Sequence, residues 1–484
     1  MCAEENNAKP AEGRQSLSGS ERPRPETHKL VGPADSAELV AVTLVIRRKP
    51  GSPSLPDLNY WQKTPLREQR ILSAEEYTET YGAHADDLAR VSTFFSARGM
   101  RVLNNHAGRR TMTVQGTVAQ MNEVFGITLN RYDAPLPRSR SHRSAQASEE
   151  AQVGTQRHLG YDGPVHVPAA IAGLVTAVVG LDNRCAGGPG GSSGSPTNSN
   201  SLAVPAVAGY YNFPNLQVPD QTVGVIAPSD PPSATNPRLS GYLKNDITGF
   251  YFPNLAVTYP AYSTPPASFN DIGLTVGANS YTNSTASAQS ENNFSQEVTQ
   301  DISTSTTIAQ GCTLNVYFTE LSENGLLVCL NRILIPETEN QPTVVTCSFS
   351  FFGADSGLGS PTDTSSAAYL MSEQFQQLAS RGINVFLISQ DEGSDAGDKD
   401  GNTHVVYPGS DPWATCCGGT VIGNVKTGPP LTFDEWVWSD AGLSSPVGGF
   451  GGASGGGASE TFPIPAYQTA AGLTKITDSN GNTS

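Results

Sequence analysis

Two carboxylates stand four residues apart in a segment that has no basic side chain beside them. Glu297 and Asp301 belong to the run Ser-Gln-Glu-Val-Thr-Gln-Asp-Ile-Ser at residues 295–303. On a helix this spacing places both side chains one turn apart on the same face. Asp391 follows the apolar run at residues 383–388, just past the end of a predicted strand, where open parallel sheets usually keep their ligand sites. Three carboxyl groups without an imidazole indicate acid chemistry.

The surroundings of the pair favour a partly buried site. Phe294, Val298 and Ile302 form an apolar stripe at four-residue spacing, and the other positions are mostly uncharged Ser, Thr and Gln. Two carboxyls in one partly desolvated site raise the pKa of one of them, so that a protonated and an ionised form coexist. That combination suits general acid–base catalysis in acid. A solvated helix face is the alternative, because acidic pairs at this spacing are only mildly repulsive.

The two halves of the 484-residue chain differ strongly in charge. Residues 1–200 carry 22 Lys and Arg against 20 Asp and Glu, whereas residues 201–484 carry 7 against 25. The second half therefore gains little positive charge in acid and is suited to low pH, because cationic self-repulsion drives acid denaturation. A generic acidic surface for solubility is the alternative. Neither a nucleic-acid partner nor a membrane span is expected, since the chain has no basic stripe and no long apolar run.

Patterning divides the chain into four parts. These are a disordered segment (1–37), an α+β domain (38–185), a flexible Gly- and Ser-rich linker (186–202) and an α/β domain (203–484). The α+β domain follows the order β-α-β-β-α-β of a ferredoxin-like fold, with its last strand at residues 127–132. In the α/β domain the alternation of strands and helices implies a parallel sheet with helices on its faces. Residues 270–293 are expected to form a loop, and Cys416-Cys417 a buried strand.

The acidic loop after the predicted strand also invites two other interpretations. Asp391 is followed by Glu392, Asp395, Asp398 and Asp400, and such clusters bind calcium in some proteins, but the spacing does not match an EF-hand loop. The run Gly-Asn-Thr-His ending at His404 looks like the histidine motif of subtilisin-type peptidases. Its spacing from Asp391 and the Asn in place of a Gly argue against a catalytic triad. No metal site is predicted here.

Several motifs occur in one order along the chain. They are the Glu-x-x-x-Asp pair, Ser-Phe-Phe-Gly at 350–353, Ser-Gln-Asp-Glu-Gly at 389–393, Tyr-Pro at 407–408, Gly-Gly-Thr at 418–420, Glu-Trp-Val-Trp at 435–438 and the glycine-rich run 455–468. From about Leu39 onward this set resembles the sedolisins, the serine-carboxyl peptidases, and in particular their kumamolisin-like members. The resemblance implies a subtilisin-like parallel sheet with flanking helices, preceded by a ferredoxin-like pro-domain.

The resemblance also implies roles for individual residues. Glu297 is then the general base, and Asp301 orients and tunes it. Asp391, protonated in acid, donates a hydrogen bond to the oxyanion of the tetrahedral intermediate. Ser350 and Gly353 are then substrate-binding residues. A neutral carboxylic acid in the oxyanion role requires an acidic pH optimum.

One expected motif is absent. The resemblance places the nucleophile serine in a Gly-Thr-Ser motif downstream of the Pro-x-Tyr-Gln segment and a calcium site after it, and the 484 residues contain neither. The chain is therefore expected to be C-terminally truncated, with an incomplete sheet, no cofactor of its own and no activity alone. Calcium is expected for the full-length family member, with its ligands in the missing segment.

Partners and location follow from the resemblance as well. They include a protein or peptide substrate, an intramolecular pro-domain that inhibits and is then removed, a monomeric state and secretion, although no signal peptide is recognisable. The alternative is a non-catalytic truncated homologue, or an inhibitor or binding protein that acts through its pro-domain.

Overall fold

The computed structural model describes most of the chain. The described residues are 13–135, 155–185, 202–230, 241–283, 293–396, 401–426, 428, 431–439 and 452–473. We call residues 13–185 the N-terminal region and residues 202–473 the C-terminal region. The predicted linker falls almost wholly outside the described residues. The predicted domain boundaries stay predictions.

Nine strands and four α-helices are described in the N-terminal region. The strands are β1 (Arg14–Ser16), β2 (Lys29–Pro33), β3 (Leu39–Ile46), β4 (Arg101–His106), β5 (Thr111–Thr117), β6 (Asn130–Pro135), β7 (Thr155–Gly160), β8 (His166–Pro168) and β9 (Val175–Val179). The helices are α1 (Leu58–Lys63), α2 (Ala74–Tyr81), α3 (Ala85–Ser96) and α4 (Val118–Phe125). An antiparallel sheet in the order β4-β5-β3-β9 carries the core of this region.

Local signals set the helix starts in this region. Ser73 and Thr117 each form a capping box with the Glu or Gln three residues on, as the sequence predicted. Helix α4 ends at Gly126, whose left-handed φ of 61° suits glycine. The apolar faces of α3 and α4 then cover one side of the sheet.

The predicted last strand of this sheet is wrong. Residues 127–132 only partly overlap β6, and β6 pairs with β2 and β7 in a separate three-stranded sheet. The fourth strand of the main sheet is β9, which comes from the apolar segment at residues 167–181 and pairs with β3. Every residue of β9 except Thr176 is buried, so the apolar surface that β9 removes from water favours its place beside β3.

The prediction of disorder is wrong for residues 13–37. Strand β1 pairs with β8, and β2 pairs with β6. Between them, Arg22 forms a bidentate ion pair with Glu323 of the C-terminal region, with both N–O distances at 2.7 Å. A polar composition predicts disorder only when no partner surface is available, and here the rest of the chain supplies one.

Six α-helices and eleven strands are described in the C-terminal region. The helices are α5 (Val204–Tyr210), α6 (Phe252–Thr258), α7 (Asn293–Ile308), α8 (Glu323–Leu334), α9 (Ala367–Ser380) and α10 (Ala466–Ala470). The strands are β10 (Thr222–Pro228), β11 (Ser268–Val276), β12 (Asn279–Tyr281), β13 (Thr313–Thr319), β14 (Val344–Cys347), β15 (Gly353–Ala354), β16 (Asn384–Ile388), β17 (Val406–Tyr407), β18 (Thr415–Cys417), β19 (Thr420–Lys426) and β20 (Thr432–Val437).

The central sheet has seven strands in the order β12-β11-β13-β10-β14-β16-β18. All neighbouring pairs are parallel except β11 with β12. Strand β10 lies in the middle and every one of its residues is buried, as expected for a parallel strand covered on both faces. The parallel strands therefore end at one common edge, and residues that follow β14 and β16 meet there.

Two expectations for this region are wrong. Residues 270–293 were predicted as a loop, but β11 and β12 occupy much of that stretch. Alternation explains the difference, because Ile272, Leu274 and Val276 are buried while Gly273 and Thr275 between them are exposed. Cys416 and Cys417 do lie in a strand, but β18 is at the edge of the sheet and both are exposed.

The two regions share a buried interface. Glu373 on α9 pairs with Arg48 at 2.8 Å and with Arg110 at 2.5 Å, and all three side chains are largely buried. The hydroxyl of Tyr77 donates a hydrogen bond to Gln377 at 2.6 Å. The N-terminal region thus packs on α9, a helix that covers the central sheet.

Candidate active site

Helix α7 carries the predicted acid pair. Val298 and Ile302 are completely buried against the sheet, which fixes the face of the helix that turns inward. Glu297 and Asp301 lie beside this face and are half-buried. The hydroxyls of Ser303, Ser305 and other polar residues of α7 donate to backbone carbonyls one turn back. The helix therefore places two acids at the site without a basic partner on it.

Both acids have raised pKa values. Burial raises the pKa of Glu297, and the negative charges of Asp301 and then Asp391 raise it further. Burial also raises the pKa of Asp301. A hydrogen bond from Ser348 opposes both shifts in part. Two carboxyls so close together ionise one after the other, so the pair holds a single proton over an interval of pH.

Ser348 is the residue that the sequence analysis missed. It directly follows Cys347, the last residue of β14, and its hydroxyl donates to Asp301 Oδ1 at 2.6 Å. Asp301 Oδ2 is buried and has no hydrogen-bond partner among the described residues. No sequence signal marked Ser348, because the aromatic residues Phe349 and Phe351 make the strand seem to continue past it.

Asp391 lies in the loop after β16. Gln390 adopts a left-handed φ of 75°, which turns the chain directly after the strand. The Asp391 carbonyl accepts from the Ala453 amide at 2.9 Å, and the Gln390 carbonyl accepts from the Gly455 amide at 2.9 Å. Asp391 follows β16, and Asp301 is bonded to Ser348 at the end of the neighbouring strand β14, so all three predicted carboxyls lie at the carboxyl edge of the sheet.

A glycine-rich segment, residues 452–458, backs this loop. A Cβ atom on Gly455 would lie 1.9 Å from the Ser389 carbonyl oxygen, so only glycine fits there. The far end of the segment is anchored by Asp355, which accepts hydrogen bonds from the Ser459 hydroxyl and, at 3.3 Å, from the Glu460 amide. The segment is thus fixed by Asp355 beyond its far end, and it holds the backbone of Asp391 through Ala453.

The two predicted substrate-binding residues lie in a connected turn. Ser350 is fully buried, and its hydroxyl donates to the Tyr407 carbonyl at 3.1 Å and accepts from the Gly353 amide at 3.1 Å. Gly353 has a φ of 78° and pairs with Tyr407 through β15 and β17. The Ser350 side chain is thus engaged within the protein. Its assignment to substrate binding stays a prediction.

His404 and the acidic loop do not add a second centre to the described structure. His404 is nearly buried, and its Nδ1 lies 2.8 Å from Glu460 Oε1. Among the described residues, no three His, Cys, Asp or Glu side chains are grouped so as to hold a metal ion. Asp398 and Asp400 lie outside those residues, and the expectation of calcium stays a prediction. None of the helices described combines the length and apolar character of a membrane span.

The site therefore defines a protein with an acid pair and a third carboxyl at the end of a parallel sheet. Comparison with known proteins agrees with this class. Residues 27–184 match the family model for the pro-kumamolisin activation domain. The chain is 35% identical over 471 residues to tripeptidyl-peptidase sed5 of Aspergillus fumigatus, covering 96% of this chain and 76% of that protein. It is 27% identical over 486 residues to kumamolisin of Bacillus sp. strain MN-32, covering 96% and 75%.

A solved structure of Pseudomonas sedolisin, a serine-carboxyl proteinase complexed with pseudo-iodotyrostatin, is 18% identical. It matches 54% of this chain and 64% of its own with a TM-score of 0.39, which is too weak to carry an argument. The 35% identity to the Aspergillus fumigatus relative, over 76% of its length, is sufficient to assign the family. The chain belongs to the sedolisin family.

Proposed function

We propose that this protein is the pro-form of a serine-carboxyl endopeptidase that cleaves proteins or peptides at acidic pH. The observation that carries the proposal is the convergence of Glu297, Asp301 and Asp391 at one edge of the sheet, with raised pKa values for the pair on α7. A subtilisin-like sheet and a ferredoxin-like activation domain are part of the proposal, as are secretion and a monomeric state.

In the proposed reaction the carboxyls exchange protons with the substrate and the nucleophile. Glu297, ionised, accepts the proton of a serine hydroxyl as that oxygen attacks the peptide carbonyl. Asp301 carries the single proton of the pair and is neutral, so it does not oppose the ionisation of Glu297 before the proton is transferred. Asp391, in its protonated form, donates a hydrogen bond to the oxyanion. No step uses an imidazole or a metal ion.

The nucleophile is the unassigned member of this mechanism. The family motif Gly-Thr-Ser does not occur among the 484 residues, and the predicted truncation stays a prediction. We propose that the chain alone does not acylate, and that the reading frame continued past residue 484 supplies the serine.

An assay of both forms tests the proposal. The 484-residue chain and the protein from any continued frame are incubated with a denatured protein between about pH 3 and pH 8. We expect cleavage in acid by the continued protein, strong loss with Glu297→Gln and little change with Glu392→Gln, one residue from Asp391. Absence of cleavage, or equal cleavage by the Glu297→Gln variant, would count against the assignment.

Tripeptidyl-peptidase activity is a second candidate, because the relative with 35% identity carries that name. The two modes differ in their products. An endopeptidase cuts a peptide whose amino terminus is blocked and yields internal fragments. A tripeptidyl-peptidase spares the blocked peptide and releases tripeptides from the free one, which mass spectrometry distinguishes.

A further inference from the structure

Ser348 is hydrogen-bonded to one acid of the pair and opposes the rise in the pKa of the other. Its hydroxyl donates to Asp301 Oδ1 at 2.6 Å, and its hydrogen bonding also influences Glu297. Asp301 is held on that side only, since Oδ2 is buried without a partner among the described residues. The two acids come from α7 and the hydroxyl comes from the end of β14, so helix and sheet meet at this bond.

We propose that Ser348 is a positioning residue whose hydroxyl bridges Glu297 and Asp301 and favours the state in which they share one proton. A hydroxyl has one hydrogen to donate and lone pairs with which to accept. When Glu297 is protonated and Asp301 is ionised, Glu297 donates to Ser348 Oγ while Ser348 donates to Asp301. When both are ionised, one hydrogen serves two carboxylates, and one of them loses its donor.

The bridge also provides a path for the proton. The Glu297 proton moves to Ser348 Oγ while the hydroxyl hydrogen of Ser348 moves to Asp301 Oδ1. Glu297 becomes a carboxylate, Asp301 becomes the acid and Ser348 is unchanged, so the step needs no other reactant. This consequence rests on the proposed function, because only there does Glu297 have to act as a base. The bridge itself does not depend on catalysis.

Few other charged groups act on the bridge. Asp391 faces Glu297 from the loop after β16, and its charge adds to that of Asp301. The charges of both acids also act on the Cys347 thiol of β14, which stays neutral because burial raises its pKa. Within the described ranges, neither Glu297 nor Asp301 forms an ion pair with a Lys, Arg or His. Removal of the Ser348 hydroxyl is therefore expected to change the pKa values of the pair more than removal of any other donor.

Titration of the carboxyl groups tests this proposal without any turnover. The 484-residue chain is labelled with carbon-13 at the Asp and Glu carboxyls, and nuclear magnetic resonance follows them across the acid and neutral range. We expect Ser348→Ala to raise the lower pKa of the pair by about one unit and the upper by less, because a hydrogen bond to a charged group is lost. The range of pH over which the pair holds one proton then becomes narrower.

Three further variants sharpen the result. Ser348→Thr keeps the hydroxyl and is expected to restore the wild-type titration. Ser348→Cys keeps the shape with a weak donor, so it is expected to behave like Ser348→Ala. Ser350→Ala removes a buried hydroxyl two residues away that bonds to Tyr407 and Gly353, and it is expected to leave the pair unshifted.

Two results would overturn the proposal. One is a shift of less than about 0.3 unit with Ser348→Ala. The other is an equal shift with Ser350→Ala, which would make the effect one of general packing. Either result leaves the peptidase assignment standing, and an inactive enzyme with the expected titration leaves the bridge standing.

Discussion

At the scale of single residues, the site depends on how carboxyl groups respond to burial. Glu297 and Asp301 are raised in pKa because water is displaced around them and no guanidinium or ammonium compensates. Glu373 shows the opposite response in the same molecule. Burial opposes its ionisation, but the charges of Arg110 and Arg48 prevail and its pKa is lowered. The presence of a cationic partner, more than the extent of burial, therefore decides which acid keeps its proton.

The acid pair predicts an unusual dependence of stability on pH. A carboxyl whose pKa is raised on folding contributes stability that is present below about pH 4 and lost as the pH rises toward the raised pKa. We expect Glu297→Gln to raise the midpoint temperature of thermal unfolding at pH 7.5 and to leave it nearly unchanged at pH 4. The gain at pH 7.5 should be on the order of 1–3 kcal/mol.

Thermal denaturation at the two pH values measures this difference. Glu68→Gln serves as the control, because Glu68 pairs with Arg67 on the exposed surface and should change neither midpoint. A Glu297→Gln variant that loses stability equally at both pH values would show that the pair is not a proton-sharing site.

At the scale of elements, the sequence predicted the strands and helices that position the site. Residues 222–228 and 313–319 form strands β10 and β13, and every residue of the two runs except Thr313 is buried. The i, i+4 spacing and the strand-end rule were enough to place three carboxyls. The sequence did not predict the role of Ser348, because its partner Asp301 is 47 residues away and a single serine gives no periodic signal. The sequence did not predict the place of β9 in the main sheet, because β6, β7 and β8, which belong to other sheets, come before it in the chain.

The glycine-rich segment gives a prediction at this scale. Gly455→Ala would place a Cβ 1.9 Å from the Ser389 carbonyl, and the loop that holds Asp391 must move to relieve the clash. We expect the proteolytic rate of the continued protein to fall at least tenfold, because small displacements of catalytic groups are costly. Its kcat should fall more than its KM changes.

Gly457→Ala is the matched control in the same segment. Its Cβ would lie 3.3 Å from the tip of the Val405 side chain, which can shift. Equal losses in the two variants would mean that the segment matters for stability alone and does not position Asp391.

At the scale of the whole molecule, the two regions are joined by charges that lie far apart in sequence. Arg48 and Arg110 reach Glu373, and Arg22 reaches Glu323 across about 300 residues. No sequence pattern specifies such pairs, so the polar N-terminal segment was read as disordered although it docks on the C-terminal region.

The Glu373 cluster predicts acid-weakened docking of the activation domain. Because its pKa is lowered, Glu373 contributes stability above the ordinary glutamate pKa, and that contribution is lost as the pH falls through the lowered value. Glu373→Gln should therefore weaken docking even at neutral pH, by about 3–5 kcal/mol for a broken buried pair.

Limited proteolysis of the chain at pH 7 measures this docking. The variant should release the N-terminal region faster than the wild type, while Glu68→Gln should not. Release at the wild-type rate would mean that apolar contacts such as those of Tyr77 hold the regions together without help from the ion pairs.

In the proposed mechanism, carboxyl groups alone transfer the protons of peptide hydrolysis. Its most direct test is the cleavage rate of the continued protein as a function of pH, for the wild type and for Asp391→Ala and His404→Gln. We predict a maximum in acid, a fall of about 10²- to 10³-fold with Asp391→Ala, and an unchanged profile with His404→Gln. A maximum at neutral pH that disappears with His404→Gln would contradict the claim.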